Sequence, residues 1–205
     1  MKKLIVFDLD GVLIDSKKNM QASWSRVNYL LGFKVKFSNY FKNIGMPFED
    51  VLKKIGIKRD ITKAKKIFRD ASNQNISLIR PFLHVKSTIE RLKKRGFELA
   101  VITSKERSRT LKILKRFNLK FKHILCPIPG NKGKPDPFLL NNLIKKTNKK
   151  KEDTFYIGDT YIDYKFAKNS GVNFIFCKYG YGKITLKKVK KIGKIKDLLN
   201  VFSKL

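Results

Sequence analysis

The sequence predicts an α/β protein: a Rossmann-like parallel sheet with helices on both faces, plus an inserted all-α domain. The first observation is the continuous apolar run from Leu4 to Phe7, which is typical of a strand buried on both faces. The second is that similar runs recur after residue 81 and alternate with amphipathic segments, as in a parallel sheet with crossover helices. The third is that residues 16–80, between these parts, show helical patterns only.

The inserted segment is predicted to hold several short helices. Asp15-Ser16 offers a capping pair, and apolar side chains from Met20 onward, Leu30 among them, recur at three- and four-residue spacing until Gly32 ends the helix. Further helices are predicted at residues 39–44, at 48–55 after a proline, and at 61–71.

The remaining elements belong to the sheet and the helices that cover it. Strands are predicted at residues 97–102, 124–125, 154–157 and 172–177, and helices at 85–94, 106–117, 137–146, 161–169 and 195–202. The expected domains are a core of residues 1–15 and 81–205 and an insertion of residues 16–80. Ligands of such sheets bind at the carboxyl ends of the strands, which is where Asp8 and Asp10 follow the first strand.

The charge of the chain is unusual, with 48 basic and 16 acidic residues and a formal net charge of +32. Such an excess suggests nucleic acid or another acidic partner. The lysines, however, are spread along the whole chain, and the richest runs, 145–151 and 187–196, are typical of helix ends and solvent-exposed faces. Nucleic-acid binding beyond non-specific charge attraction is therefore not expected.

Two other features bear on location. Apolar runs stay well short of the roughly 20 residues that span a bilayer, and the four-residue run near the N-terminus is too short for a signal peptide. Cys126 and Cys177 lie in or beside strand-like runs and are expected to be buried free thiols. We therefore expect a cytoplasmic protein without a membrane partner.

Asp8 and Asp10 are the first candidate site residues. Side chains alternate along a strand, so these two carboxylates would share one side and need a compensating charge, most simply a bound cation. The alternative is a strand followed by an ordinary Asp-Gly turn.

The stretch Asp8-Leu9-Asp10-Gly11-Val12-Leu13 resembles motif I of the haloacid dehalogenase-like superfamily, Asp-x-Asp-Gly-Val/Thr-Leu. The resemblance implies that Asp8 is a nucleophile and metal ligand. It implies that Asp10 is a general acid and base that also ligates metal through its backbone carbonyl, and that Gly11 lies against the bound phosphate.

Two further stretches match the family in the same order. Thr103-Ser104 at the end of a predicted strand resembles motif II, which implies that both residues hold a phosphate; a helix cap is the alternative, and the two are compatible. Lys134 precedes Pro135 as in motif III, which implies that Lys134 neutralises charge on the nucleophile and the phosphate.

Gly158-Asp159-x-x-x-Asp163 resembles motif IV. A four-residue spacing at the start of a helix puts both carboxylates on one side, although Asp159 as a helix cap is the alternative. The resemblance implies that Asp159 ligates Mg²⁺ and that Asp163 orients the metal ligands. With four motifs in order, it covers the whole core.

The function implied by the resemblance is that of the phosphoglycolate-phosphatase-like branch with a type-1 helical cap. Such an enzyme is a Mg²⁺-dependent phosphatase that forms an aspartyl-phosphate on a small organic phosphate, here phosphoglycolate or a sugar phosphate. The loop from Gly45 to Phe48 between two cap helices is mostly apolar and has no Arg, which weakens the case for a second anionic group on the substrate. Lys residues elsewhere in the cap are the alternative for binding such a group.

Three alternatives are kept. A dehalogenase of this superfamily lacks the second motif I aspartate and the metal, so Asp10 and Asp159 argue against it. A phosphomutase of the β-phosphoglucomutase type has His at the position of Met20 and Arg at the position of Phe48. From another class, a non-catalytic nucleic-acid-binding protein would use the basic surface. The physiological substrate and the oligomeric state stay open.

Overall fold

A computed structural model describes residues 2–128, 130–183, 185 and 188–203. The strands are β1 (Leu4–Phe7), β2 (Ile14–Asp15), β3 (Arg80–Pro81), β4 (Glu98–Ile102), β5 (His123–Leu125), β6 (Thr154–Gly158), β7 (Asn173–Cys177) and β8 (Lys190–Ile192). The helices are α1 (Lys17–Leu31), α2 (Phe37–Phe41), α3 (Phe48–Lys54), α4 (Ile61–Gln74), α5 (Val85–Lys94), α6 (Arg107–Arg116), α7 (Phe138–Thr147), α8 (Tyr161–Ser170) and α9 (Leu198–Val201).

The main sheet has six parallel strands in the order β5-β4-β1-β6-β7-β8. Strand β1 lies in its centre between β4 and β6, and its residues are fully buried. This position explains the unbroken apolar run, and it confirms the predicted α/β fold with a parallel sheet. The carboxyl ends of β1, β4 and β6 are neighbours, so the residues that follow them meet at one edge of the sheet.

The sheet separates two apolar clusters, because alternate side chains of β1 point to opposite faces. Ile5 and Phe7 pack with residues of α5, α6 and α9. Leu4 and Val6 pack with residues of α7 and α8. Helices therefore cover both faces, as predicted.

The helical insert, which we define as residues 17–78, has an apolar cluster of its own. Trp24 of α1 stacks on Tyr40 of α2 with ring centroids 4.8 Å apart, and both belong to a cluster that also contains Phe68 of α4. The indole N–H of Trp24 donates to the carbonyl of Val35 at 2.8 Å. The chain enters and leaves the insert through the antiparallel pair β2 and β3.

Two short strands differ from the predictions. Arg80 lies in β3, although residues 16–80 were expected to contain no strand, because a two-residue strand is too short to show alternation. Strand β8 lies at the sheet edge within the run 187–196, where Lys190 and Lys191 are exposed and only Ile192 is buried. Charged side chains are common on edge strands, where they discourage pairing with other chains. Lys187 lies outside the described residues.

The helix bounds differ in detail. Helix α2 begins and ends earlier than predicted, and Leu30, part of the predicted apolar face of α1, is 46% exposed. The predicted final helix at 195–202 is a 3₁₀ turn, Ile195–Asp197, followed by α9.

Across the described residues, the helices are too short or too polar to cross a bilayer. Cys126 and Cys177 are buried free thiols, as predicted.

Candidate active site

The ends of three adjacent strands bring the predicted site residues together. Asp8 follows β1, Thr103 follows β4 and Asp159 follows β6, and each is at most 4% exposed. Parallel strands end at the same edge, so the topology alone accounts for this convergence.

Lys134 forms two buried ion pairs at this edge. Its Nζ lies 2.8 Å from Asp8 Oδ1 and 3.0 Å from Asp163 Oδ1. Burial opposes the positive charge, but Asp163 and Asp8 outweigh burial and raise the pKa of Lys134 above its usual value. The ammonium therefore stays charged and sets the position of both carboxylates.

Both oxygens of Asp163 accept hydrogen bonds from groups that fix the start of α8. Asp163 Oδ2 accepts from the Thr160 hydroxyl at 2.7 Å and from the Thr160 backbone N–H at 3.1 Å, and Oδ1 accepts from Lys134 and the Tyr156 hydroxyl. Thr160 is the N-cap of α8 in a capping box with Asp163. The alternative that Asp159 caps this helix is therefore wrong.

Asp159 is completely buried, and the two oxygens of its carboxylate have different surroundings. Its Oδ2 accepts from the backbone N–H of Tyr181 at 2.6 Å, whereas Oδ1 has no hydrogen-bond partner among the described residues. A buried, unpaired carboxylate oxygen is costly. Asp159 therefore needs a further partner at Oδ1.

Three glycines enclose Asp159. A Cβ atom built on Gly11, Gly180 or Gly182 would lie 2.1, 2.3 or 2.2 Å from the nearest atom of Asp159, closer than any real contact. Gly11 also has φ of +82°, a conformation that favours glycine. Gly11 and Gly180 allow the backbone to approach the Asp159 side chain closely, and Gly182 allows it to approach the Asp159 backbone carbonyl.

The carboxylates of Asp8, Asp159 and Asp163 form a cluster suited to a cation. Each offers an oxygen within 4.8 Å of those of the other two. Burial, reinforced by neighbouring carboxylates and opposed by Lys134, raises the pKa of Asp8 to about 7. Burial and the same neighbours raise the pKa of Asp159 well above its usual range. Hard oxygen donors and the free Oδ1 of Asp159 fit Mg²⁺, whereas Asp163 already has both oxygens engaged.

Asp10 lies in a different environment from this cluster. Its Oδ2 pairs with Lys105 Nζ at 3.1 Å, and its Oδ1 accepts a hydrogen bond from the Ser16 hydroxyl. Ser16 precedes α1 but makes no side-chain cap to that helix. The hydroxyl that was predicted to cap the insert instead holds Asp10.

The two predicted phosphate-binding hydroxyls have separate partners. The Thr103 hydroxyl accepts from the Lys105 backbone N–H at 3.2 Å, and the Ser104 hydroxyl donates to the carbonyl of Gly45 at 2.6 Å. Ser104 therefore joins the core to the helical insert.

A cavity of about 520 Å³ lies between the core and the helical insert. Asp8, Asp10, Thr103, Lys105 and Arg109 line it from the core, and Met20, Tyr40, Met46 and Phe48 line it from the insert. Its volume suits a small molecule.

Sequence reasoning missed three residues of this site. Lys105 and Arg109 had no distinguishing signal among 48 basic residues. Tyr181 lies in the Gly-rich segment after β7. Its backbone N–H donates to Asp159, and its hydroxyl accepts from the backbone N–H of Ser16 at 2.6 Å. Only the fold brings Lys105 and Arg109 to the cavity and Tyr181 to Asp159.

Comparison with known proteins gives a consistent result. The model of the haloacid dehalogenase-like hydrolase family matches residues 5–177. A phosphoglycolate phosphatase of Aquifex aeolicus is 28% identical, over 89% of this chain and 87% of the relative. The pyrophosphatase PpaX of Halalkalibacterium halodurans is 29% identical, over 82% of this chain and 80% of the relative.

Solved structures share the fold. A hydrolase from Pseudomonas syringae superposes with a TM-score of 0.89 at 21% identity, covering 100% of this chain and 99% of that chain. A haloacid dehalogenase-like family protein from Streptococcus pneumoniae gives 0.84 at 21%, with 98% of each chain covered. The family match spans all four motifs, which confirms the prediction that the chain is an enzyme of this group. The chain belongs to the haloacid dehalogenase-like hydrolase family.

Proposed function

We propose that the protein is a Mg²⁺-dependent phosphatase that hydrolyses a small organic phosphate monoester through an aspartyl-phosphate on Asp8. The main support for the proposal is the contact of Asp8 with Lys134, next to Asp159, whose Oδ1 has no hydrogen-bond partner among the described residues. A carboxylate can attack an anionic phosphate only if nearby positive charge offsets the repulsion between them. Here a lysine contacts the nucleophile, and a cation site lies next to it.

Asp8 attacks phosphorus in the first step. Its carboxylate oxygen forms a bond to phosphorus as the ester P–O bond breaks, and Asp10 gives a proton to the departing alkoxide. In the second step Asp10 takes a proton from water, and the water oxygen attacks phosphorus. The bond to Asp8 then breaks, which releases inorganic phosphate and restores the carboxylate.

The other residues of the core position the substrate. Thr103 holds a phosphate oxygen, together with Ser104 and the backbone near Gly11, and Lys134 offsets the negative charge that gathers around phosphorus. Asp163 acts through Lys134 and Thr160, which it holds in place. These roles follow the motif positions, and the contacts of Lys134 with Asp8 and of Asp163 with Lys134 and Thr160 support those of Lys134 and Asp163.

Asp8, Asp159 and the backbone carbonyl of Asp10 would hold the metal ion. When bound, Mg²⁺ would supply positive charge that reduces repulsion between the carboxylates and the phosphate. The raised pKa values of Asp8 and Asp159 support this set, because nearby positive charge favours the ionised form of both groups.

We propose that residues 16–80 act as a cap that excludes water from the cavity. Met20 and Phe48 line the cavity at the positions where a phosphomutase has His and Arg, which favours hydrolysis over phosphoryl transfer between sugars. The partner is then a small phosphorylated metabolite, and the two buried free thiols are consistent with a cytoplasmic location.

Hydrolysis of p-nitrophenyl phosphate, with Mg²⁺ or with a chelator, tests this function. We expect turnover only with Mg²⁺ and, for Asp8→Asn, a loss of at least about 10³-fold. Full activity in chelator would favour the dehalogenase alternative. Tight, sequence-dependent nucleic-acid binding at physiological salt, without any phosphatase activity, would favour the non-catalytic alternative.

A further inference from the structure

Arg109 is a buried cation that the catalytic steps above do not use. It lies on α6, is 7% exposed and lines the same cavity as Asp8. Its guanidinium donates to the hydroxyl of Ser72 and lies 5.6 Å from the ring centroid of Phe68, both on α4 of the insert. Arg109 is therefore at the side of the cavity where the core meets the insert.

Among the residues that the structure describes, the charge of Arg109 has no carboxylate partner. Within residues 2–128, 130–183, 185 and 188–203, no acidic side chain lies at ion-pair distance from its guanidinium. Asp10 has the strongest charge effect on Arg109, but Lys105 and Ser16 already occupy the oxygens of Asp10. Ser72 is neutral and cannot offset a full charge.

The surroundings do not remove this charge. Burial lowers the pKa of Arg109 from its usual value, but an arginine guanidinium stays protonated in proteins. Lys105, whose side chain is 6% exposed, is a second cation close enough to act on it. Among the described residues that line the cavity, Lys105 pairs with Asp10 and Lys65 pairs with Glu49, whereas Glu106 acts on the charge of Arg109 without reaching ion-pair distance. Of these residues, Arg109 is therefore left without a paired carboxylate. A buried unpaired charge is costly unless a ligand compensates it.

We propose that Arg109 binds a second anionic group of the substrate while the phosphoryl group lies at Asp8. This inference rests on the proposed function and narrows it to small phosphate monoesters or anhydrides that carry a carboxylate or a second phosphoryl group. An arginine fork binds either group through paired hydrogen bonds. The loop from Gly45 to Phe48 has no Arg, but the core supplies one in Arg109.

A matched set of substrates tests this proposal. Phosphoglycolate and 2-hydroxyethyl phosphate have similar size, but only the first carries a carboxylate, and pyrophosphate presents a second phosphoryl group instead. For the unmodified protein with Mg²⁺ we expect kcat/KM for phosphoglycolate, pyrophosphate or both to exceed that for 2-hydroxyethyl phosphate by about tenfold to a hundredfold, as for a hydrogen bond to a charged group. The better of the two charged substrates identifies the second group.

Variants of one helix supply the control. Arg109→Gln should lower that ratio toward one, mainly by raising KM for the charged substrate, and Arg109→Lys should keep part of it. Arg116→Gln makes the same change at an exposed position of α6 and should keep the full ratio. A thermal melt of each variant establishes that it is folded.

The outcomes separate this inference from the proposed function. Equal turnover of all three substrates by the unmodified protein, or an equal loss on all three in Arg109→Gln, would overturn the role of Arg109 and leave the phosphatase function standing. Failure of the unmodified protein to hydrolyse any phosphate substrate with Mg²⁺ would overturn both.

Discussion

Lys134 Nζ lies 2.8 Å from Asp8 Oδ1, although 126 positions separate the two residues along the chain. The same ammonium holds Asp163 at 3.0 Å, and all three side chains are nearly inaccessible to solvent. One lysine thus connects the end of β1 to the start of α8. Its removal would leave two buried carboxylates without their counter-charge.

Lys134→Met should therefore lose activity and stability together. We expect kcat to fall by about 100-fold or more, since a charge-stabilising group at the reacting centre is lost. We expect the free energy of unfolding to fall by about 3–5 kcal/mol, the usual cost of breaking a buried ion pair. Steady-state kinetics and urea unfolding measure both effects.

The matched control is Lys132→Met, which makes the same change at an exposed position two residues away. It should leave kcat and stability near the values of the unmodified protein. An active Lys134→Met protein, or an equal loss in both variants, would contradict the assignment of Lys134.

A second prediction concerns stability against pH without metal. Burial is the main cause that raises the folded-state pKa of Asp8 from 3.8 to about 7. Lys134 opposes this rise, whereas Asp163 and Asp10 add to it. Between these two values the folded state binds more protons than the unfolded state, so the Asp8 contribution to stability falls as pH rises. In chelator, the melting temperature should therefore drop between pH 5 and pH 8.

Two comparisons separate this effect from general charge repulsion in a chain of net charge +32. Asp8→Asn should flatten the dependence, because the amide does not titrate. Added Mg²⁺ should stabilise the unmodified protein more at pH 8 than at pH 5, since carboxylate ligands must be deprotonated to bind metal. Identical pH profiles for the unmodified protein and Asp8→Asn would show that Asp8 titrates normally.

Gly180→Ala should damage the metal site without straining the backbone. Its Cβ would lie 2.3 Å from Asp159 Cβ, and the φ of Gly180, unlike that of Gly11, is outside the left-handed region. The new methyl group must displace Asp159, so we expect the Mg²⁺ concentration for half-maximal activity to rise about tenfold or more, as for other disturbances next to metal ligands.

Gly193→Ala is the control for this change. Its Cβ would lie 3.6 Å from the nearest heavy atom, Asp197 Oδ2, which is an ordinary contact. Its Mg²⁺ requirement should match that of the unmodified protein. A normal Mg²⁺ titration for a folded Gly180→Ala protein would contradict the role of Asp159 as a ligand.

Much of the core could be predicted from the chain because its signals are local. The apolar run of β1 places its residues within one element, and the short spacing of Asp159 and Asp163 joins the end of β6 to the first turn of α8. Parallel topology then brings the strand ends together. Strand β8 gave no such signal, because an edge strand with exposed Lys190 and Lys191 has the composition of a loop.

The contacts of Arg109 and Tyr181 could not be predicted for a different reason. Arg109 reaches the site only because α6 packs against α4 of the insert, and Tyr181 only because a loop folds back to Asp159. Contacts between distant segments leave no periodicity in the sequence. In a lysine-rich chain, the type of residue also carries little information about which cation faces a ligand.

Transfer of a phosphoryl group to Asp8 is the central claim, and a mass measurement on Asp10→Asn tests it most directly. With p-nitrophenyl phosphate and Mg²⁺, the first step needs little acid help because the leaving group is stable as an anion, whereas the second step needs the base. We expect a burst of p-nitrophenol equal to the amount of enzyme and one added phosphoryl group on the peptide that contains Asp8. Slow turnover without a burst, with the Asp8 peptide unmodified or another residue phosphorylated, would contradict the account.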